Sequence, residues 1–213
     1  MVSTETPRRG IVLMRRVAWM LVVLCGAIGG GLYIARQWRA PPEEADMRAA
    51  YAAAVGGPFQ LVDTQGRSFT NEKLKGQPFA IFFGFTNCPE VCPITLNELS
   101  LLRGDVGKAA DRLRVVFVTV DPERDSPEKI DQYLKAFDMP AIGLTGSAEQ
   151  IARAVKAYGV YARKVPVEGA DYTMDHTATV FLMDRDGKFF GSLAMGEPYE
   201  TKLKKMQRFL RNA

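Results

Sequence analysis

Residues 78–104 read PFAIFFGFTNCPEVCPITLNELSLLRG, and the reading of this stretch decides the fold. PFAIFFGFT is an unbroken apolar and aromatic run of strand length, the pattern of a strand covered on both faces. The residues after it change period: Ile94, Leu96, Leu99, Leu101 and Leu102 recur at helical spacing, so a helix is expected to follow at once. A buried strand running directly into a helix belongs to an α/β sheet with parallel central strands.

The segments on either side continue the alternation. FQLVDTQGRSFT (59–70) alternates apolar and polar residues about Gln65-Gly66 and predicts a hairpin. LRVVFVTVD (113–121) is a second buried strand. SPEKIDQYLKAF (126–137) opens with a Ser N-cap and Pro at the first helical position. AIGLTG (141–146) is a short strand, and SAEQIARAVKAYGV (147–160) begins with a Ser-x-x-Gln capping box. HTATVFLMDRDGKFFGSLA (176–194) folds back around Asp186-Gly187, a hairpin turn dipeptide. TKLKKMQRFLRN (201–212) closes the chain as a basic amphipathic helix. RKVPVEGADYTMD (163–175), polar and rich in turn formers, is expected to be a mobile stretch.

The first forty residues are different. Val17–Ala35 is nineteen residues without a charge, about 28 Å of helix against a hydrocarbon core of roughly 30 Å. Arg8, Arg9, Arg15 and Arg16 precede it, and Arg36 and Arg39 follow. The positive-inside rule then places residues 1–16 in the cytoplasm and the folded part across the membrane. Trp19, Tyr33 and Trp38 lie near its ends, where amphipathic rings favour headgroups. A cleaved signal peptide has a shorter apolar stretch. Leu24 before Cys25 is the wrong neighbour for a lipoprotein anchor, and the Arg8-Arg9 surroundings do not make a twin-arginine signal. The expected organisation is a cytoplasmic segment 1–16, a transmembrane anchor 17–35, a linker 36–57 and one globular domain 58–213.

Composition supports that division. The 213 residues carry a net charge of +4, but residues 1–40 hold six Arg and one Glu, leaving 22 basic against 23 acidic residues beyond them. The folded part is charge-balanced, with no basic run interleaved with aromatics, so nucleic-acid binding is excluded as an expectation.

The chemistry concentrates in three residues. Cys88 and Cys92 are the only cysteines of the domain, and His176 is the only histidine of the chain. Spacing i, i+4 puts both sulfurs on one face of a helix, with Pro89 suiting a helix start and Pro93 expected to kink it. A helix N-terminus favours thiolate, which serves either as metal ligand or as redox nucleophile. Two thiolates and one imidazole form a soft donor set suited to copper. A structural zinc site would want a fourth protein ligand. The bland alternative is a structural disulfide closing a very short loop, which gains little from closure.

FGFTNCPEVCP (83–93), DPERDSP (121–127) and DYTMDHTATVFLMDRDG (171–187) together closely resemble the Sco/SenC family, over nearly the whole domain from about Phe59. The resemblance implies an α/β, thioredoxin-like fold with an N-terminal β-hairpin and an inserted hairpin, preceded by one transmembrane helix. It implies copper as the metal, with Cys88, Cys92 and His176 as ligands and Asp121 beside the site. It further implies a metallochaperone for the binuclear copper centre of cytochrome c oxidase, with oxidase subunit II or another copper-accepting protein as partner. The expected location is a bacterial inner membrane, single-pass, with the domain in the periplasm. The competing expectation is a thiol–disulfide oxidoreductase in which Cys88 and Cys92 are the redox pair. A peroxide-consuming enzyme of the related peroxiredoxin branch would want an Arg beside the cysteine loop, and FTNCPEVCP has none.

Overall fold

A computed structural model describes residues 8–38, 42–167 and 169–213 of the chain. It divides into two units, one ending at Ala49 and one running from Ala50 to Ala213. In the first, helix α1 (Arg8–Trp38) contains a 23-residue stretch, Met14–Arg36, long and apolar enough to cross a membrane. The stretch expected as a linker is helical over Pro42–Ala54 (α2). Pro at its first position and a run of alanines explain why.

The second unit is built on a seven-stranded mixed sheet. Its strands are β1 (Gln60–Asp63), β2 (Ser68–Thr70), β3 (Phe79–Gly84), β4 (Arg114–Thr119), β5 (Ala141–Thr145), and two that close the sheet after a separate ribbon. The ribbon is β6 (Ala162–Val167) with β7 (Ala170–His176), and the closing strands are β8 (Thr179–Met183) and β9 (Phe189–Ala194). The helices are α3 (Val91–Val106), α4 (Pro127–Leu134), α5 (Ala148–Ala157) and α6 (Tyr199–Asn212). The spatial order is β2-β1-β5-β4-β3-β8-β9. Strands β3, β4 and β5 run parallel in the middle, with β1 antiparallel to β5 and β8 antiparallel to β3.

Central β3 is buried at every position, as its apolar run predicts. Phe82 pairs with Phe117 and Val180 on its two neighbours. On one face, Phe82 and Gly84 lie against Phe117, whose ring meets Tyr133 of α4, and Gly84 lies against Cys92 of α3. On the other, the Phe83 ring packs 5.3 Å from that of Tyr158 at the end of α5. The capping signals hold: the Ser126 hydroxyl accepts from the Lys129 N–H, and the Ser147–Gln150 box forms in both directions.

Residues 163–167 and 170–175, within the stretch expected to be mobile, form paired strands, the inserted hairpin that the resemblance implies. They lie in the β6–β7 ribbon, paired from Ala162↔His176 to Val167↔Ala170, which forms no ladder with the main sheet among the described residues. Tyr172, Met174 and His176 alternate with the outward Asp171 and Asp175, a period of two that the turn-forming composition obscured.

Candidate metal centre

The cysteine loop forms where β3 leaves the core. Phe85 is still buried, and its carbonyl accepts from the Cys88 N–H at 3.3 Å. Helix α3 begins only at Val91, with Glu90 as its N-cap, so the two cysteines do not share a helix face as expected. Cys88 precedes Pro89, and the residue before a proline is held out of the α region. Cys88 therefore sits in the turn, and Cys92 is the second residue of the helix. The i, i+4 proximity survives by another route: the Cys92 N–H, an unsatisfied first-turn donor, donates to Cys88 Sγ at 3.3 Å. Pro93 occupies the third helical position, where a backbone N–H has no partner within the helix, so there is no hydrogen bond for it to break and no reason for a kink.

His176 arrives from the far end of the sequence as the last residue of β7. Its ring stands edge-on to Phe82 and Phe85, with centroids 6.1 and 5.7 Å away. Nδ1 lies 3.2 Å from the Thr177 carbonyl, which can only accept; in the tautomer that donates there, Nε2 keeps its lone pair for a metal. Nε2 is 3.5 Å from Cys92 Sγ. The two sulfurs and the ring nitrogen all lie within 4.8 Å of one another, the one such cluster of donors among the described residues. Around a three-coordinate ion with bonds of about 2.3 Å to sulfur and 2.0 Å to nitrogen, donors would stand roughly 4 Å apart. The residues present fit a soft ion with only small adjustments.

The thiols are unequal. Cys88 is half-buried and Cys92 is fully buried. A hydrogen bond from Cys92 lowers the Cys88 pKa to about 4 against the opposing effect of burial, helped by His176 and by the backbone N–H groups of Cys92 and Glu90. The Cys92 thiol is pushed up by the same hydrogen bond to Cys88 and by burial. In the reduced, metal-free pair Cys88 is the thiolate and Cys92 keeps its proton. The centre opens onto a cleft of about 230 Å³ lined by Phe85, Cys88, Pro89, Met174 and His176 among others.

Asp121, expected beside the three donors, offers no donor atom to their cluster. It is buried, and its carboxylate accepts from Tyr172 Oη at 2.7 Å and from Arg124 Nε. It grips the ribbon that bears His176, not a ligand. Gly84, Thr86 and Asp125 shape the site without having been singled out. Asp125 lay inside the DPERD motif, whose paired acids were the available signal.

The family model described as SCO1/SenC matches residues 47–211. The chain is similar to a SCO2-like protein of Rickettsia conorii, 34% identical over 206 residues that cover 94% of this chain and 98% of that one. It is 37% identical to the mitochondrial protein SCO1 of Saccharomyces cerevisiae over 85% of its own length, spanning 63% of that longer relative. Among solved structures, Bradyrhizobium japonicum ScoI with copper bound superposes with a TM-score of 0.66 at 46% identity, covering 73% of this chain and 99% of that one. Yeast Sco1 with copper bound gives 0.69 at 36% identity, covering 75% and 90%. The thioredoxin-like fold expected from the sequence is the fold of these proteins.

Proposed function

The chain belongs to the SCO1/SenC family, and from that premise we propose that it is a membrane-anchored copper metallochaperone. Cys88, Cys92 and His176 carry the ion as cargo, toward the binuclear copper centre of cytochrome c oxidase, with oxidase subunit II or another copper-accepting protein as recipient. The observation that carries this reading is the convergence of two sulfurs and one lone-pair nitrogen within 4.8 Å at the edge of an open cleft. The copper-bound structures of two relatives support it. Three donors on two separate elements leave a coordination position open, so an incoming thiolate or imidazole displaces them one at a time. The apolar stretch Met14–Arg36 and the four-to-two arginine asymmetry support a single-pass anchor with the domain, 58–213, on the periplasmic side of a bacterial inner membrane.

The deciding experiment is copper titration of the reduced chain with and without His176→Ala. Loss of one of three ligands is expected to lower Cu(II) affinity by more than the roughly 10–100-fold that a ligand's supporting partner contributes. Dithiol exchange should be spared. Unchanged copper affinity would remove the metal assignment and leave the second reading, a thiol–disulfide oxidoreductase acting on the copper-site cysteines of the oxidase. The inequality of the two thiols is what favours that alternative, since a partly accessible thiolate beside a buried thiol suits attack on a disulfide.

A further inference from the structure

The turn after β4, residues 121–125, touches both halves of the centre although it supplies no donor to it. Asp125 is fully buried, and its carboxylate accepts three hydrogen bonds. Two come from Thr86, two residues before Cys88: the N–H at 3.0 Å and Oγ1 at 2.5 Å. The third comes from Thr119 Oγ1 at 2.6 Å. Asp121, also buried, accepts from Tyr172 Oη at 2.7 Å. Arg124 completes this second grip, bonding the Asp121 carboxylate through Nε and donating from Nη1 to the Tyr172 carbonyl at 2.8 Å. Its guanidinium lies 3.7 Å from the centroid of the Tyr172 ring. Inside the turn, the Asp125 N–H donates to the Asp121 carbonyl at 3.0 Å, and the Asp121 N–H to Thr119 Oγ1 at 2.9 Å. Tyr172 and His176 are four residues apart on one strand, hence on the same face of the ribbon, with buried Met174 between them.

We propose that residues 121–125 are a two-armed brace that sets the separation of the copper donors. Asp125 holds the cysteine loop through Thr86, and Asp121 with Arg124 holds the histidine ribbon through Tyr172. The inference rests on the copper reading above and makes these residues positioning groups for it. The ribbon forms no ladder with the main sheet among the described residues, so side-chain bonds of this kind fix where its inner face lies. Two buried carboxylates so close in sequence are costly to desolvate and are kept where their bonds hold something in place.

The test uses the full chain in detergent micelles with three variants: Tyr172→Phe, Thr86→Val and His176→Ala. Tyr172→Phe removes one hydroxyl and no packing volume. It should speed amide exchange of residues 170–176 in the metal-free protein by about tenfold, while β3 and β4 stay protected. It should also weaken Cu(II) binding by a comparable factor and reduce the nitrogen hyperfine coupling of bound Cu(II). Because the arm acts through His176, Tyr172→Phe should change copper affinity no further once His176→Ala is present. Thr86→Val should instead weaken copper binding in both backgrounds, acting through the cysteines. Ribbon exchange unmoved by Tyr172→Phe, or a copper loss that persists undiminished without His176, overturns the brace. Full copper affinity in His176→Ala alone overturns the copper reading, and it is read before the brace is touched.

Discussion

Gly84 is a glycine because Cys92 occupies the space its side chain would need. A Cβ there would come within 2.9 Å of both Cys92 Sγ and Phe117 Cε2. Gly84→Ala should therefore cost about 1–3 kcal/mol in a denaturant titration, as overpacking does, and lower copper affinity by moving the sulfur. The unequal thiols predict a second result. Cys88, lowered to about 4 by its hydrogen bond from Cys92, is almost wholly thiolate at pH 6, whereas Cys92 remains protonated. Iodoacetamide should modify Cys88 at pH 6 in the reduced metal-free chain and leave Cys92 intact. The rate should fall only as pH drops toward 4, since protonation removes the nucleophile. Mass mapping of the alkylated peptide checks both points. At this scale the donors were legible because their types are scarce: one histidine and two domain cysteines leave little choice. The role of Asp121 was not, because its partner Tyr172 lies 51 residues away and only the fold joins them.

Among the elements, the β6–β7 ribbon carries the clearest expectation. It pairs only with itself among the described residues and brings His176 to the cysteines at its end. Saturating copper should slow amide exchange across residues 170–176 by about tenfold or more, since a bound ion stabilises only the closed arrangement. Identical exchange with and without copper would contradict it. Helix α6 offers a stability test. The sequence marks it as basic and amphipathic, and Met206, Phe209 and Leu210 are buried as that pattern predicts. Lys202 breaks the pattern: it is 3% exposed, donating to Glu98 of α3 at 2.6 Å and to the Met195 carbonyl at 3.2 Å. Removing its partner by Glu98→Ala strands a buried ammonium and should cost about 3 kcal/mol in the same titration. Strand and helix periods made most elements readable. The ribbon escaped because Pro166 and Gly169 argue for turns, while the alternation of Tyr172, Met174 and His176 needs the neighbouring sheet to become meaningful.

For the whole molecule, the apolar N-terminal helix and the domain make separate claims. The full chain should stay with membranes after alkaline carbonate washing, whereas a chain lacking residues 1–41 should be released, because Met14–Arg36 is the one stretch among the described residues long and apolar enough to cross a bilayer. The domain's architecture was readable from the alternation of buried strands with capped helices. How far α3 starts from Cys88 was not, since it depends on the conformation of a single pre-proline residue. That offset has a consequence for traffic. Cys88 stands at the mouth of the cleft and Cys92 has no surface facing water. If the chain is the metallochaperone proposed above, a visiting ligand would meet the cargo on the side of Cys88 and the imidazole, and a bond to Cys92 would be the innermost tether and the last to be surrendered. On that reading the depth of one sulfur would give a handover a fixed sequence, with unloading starting at the rim and finishing at the floor.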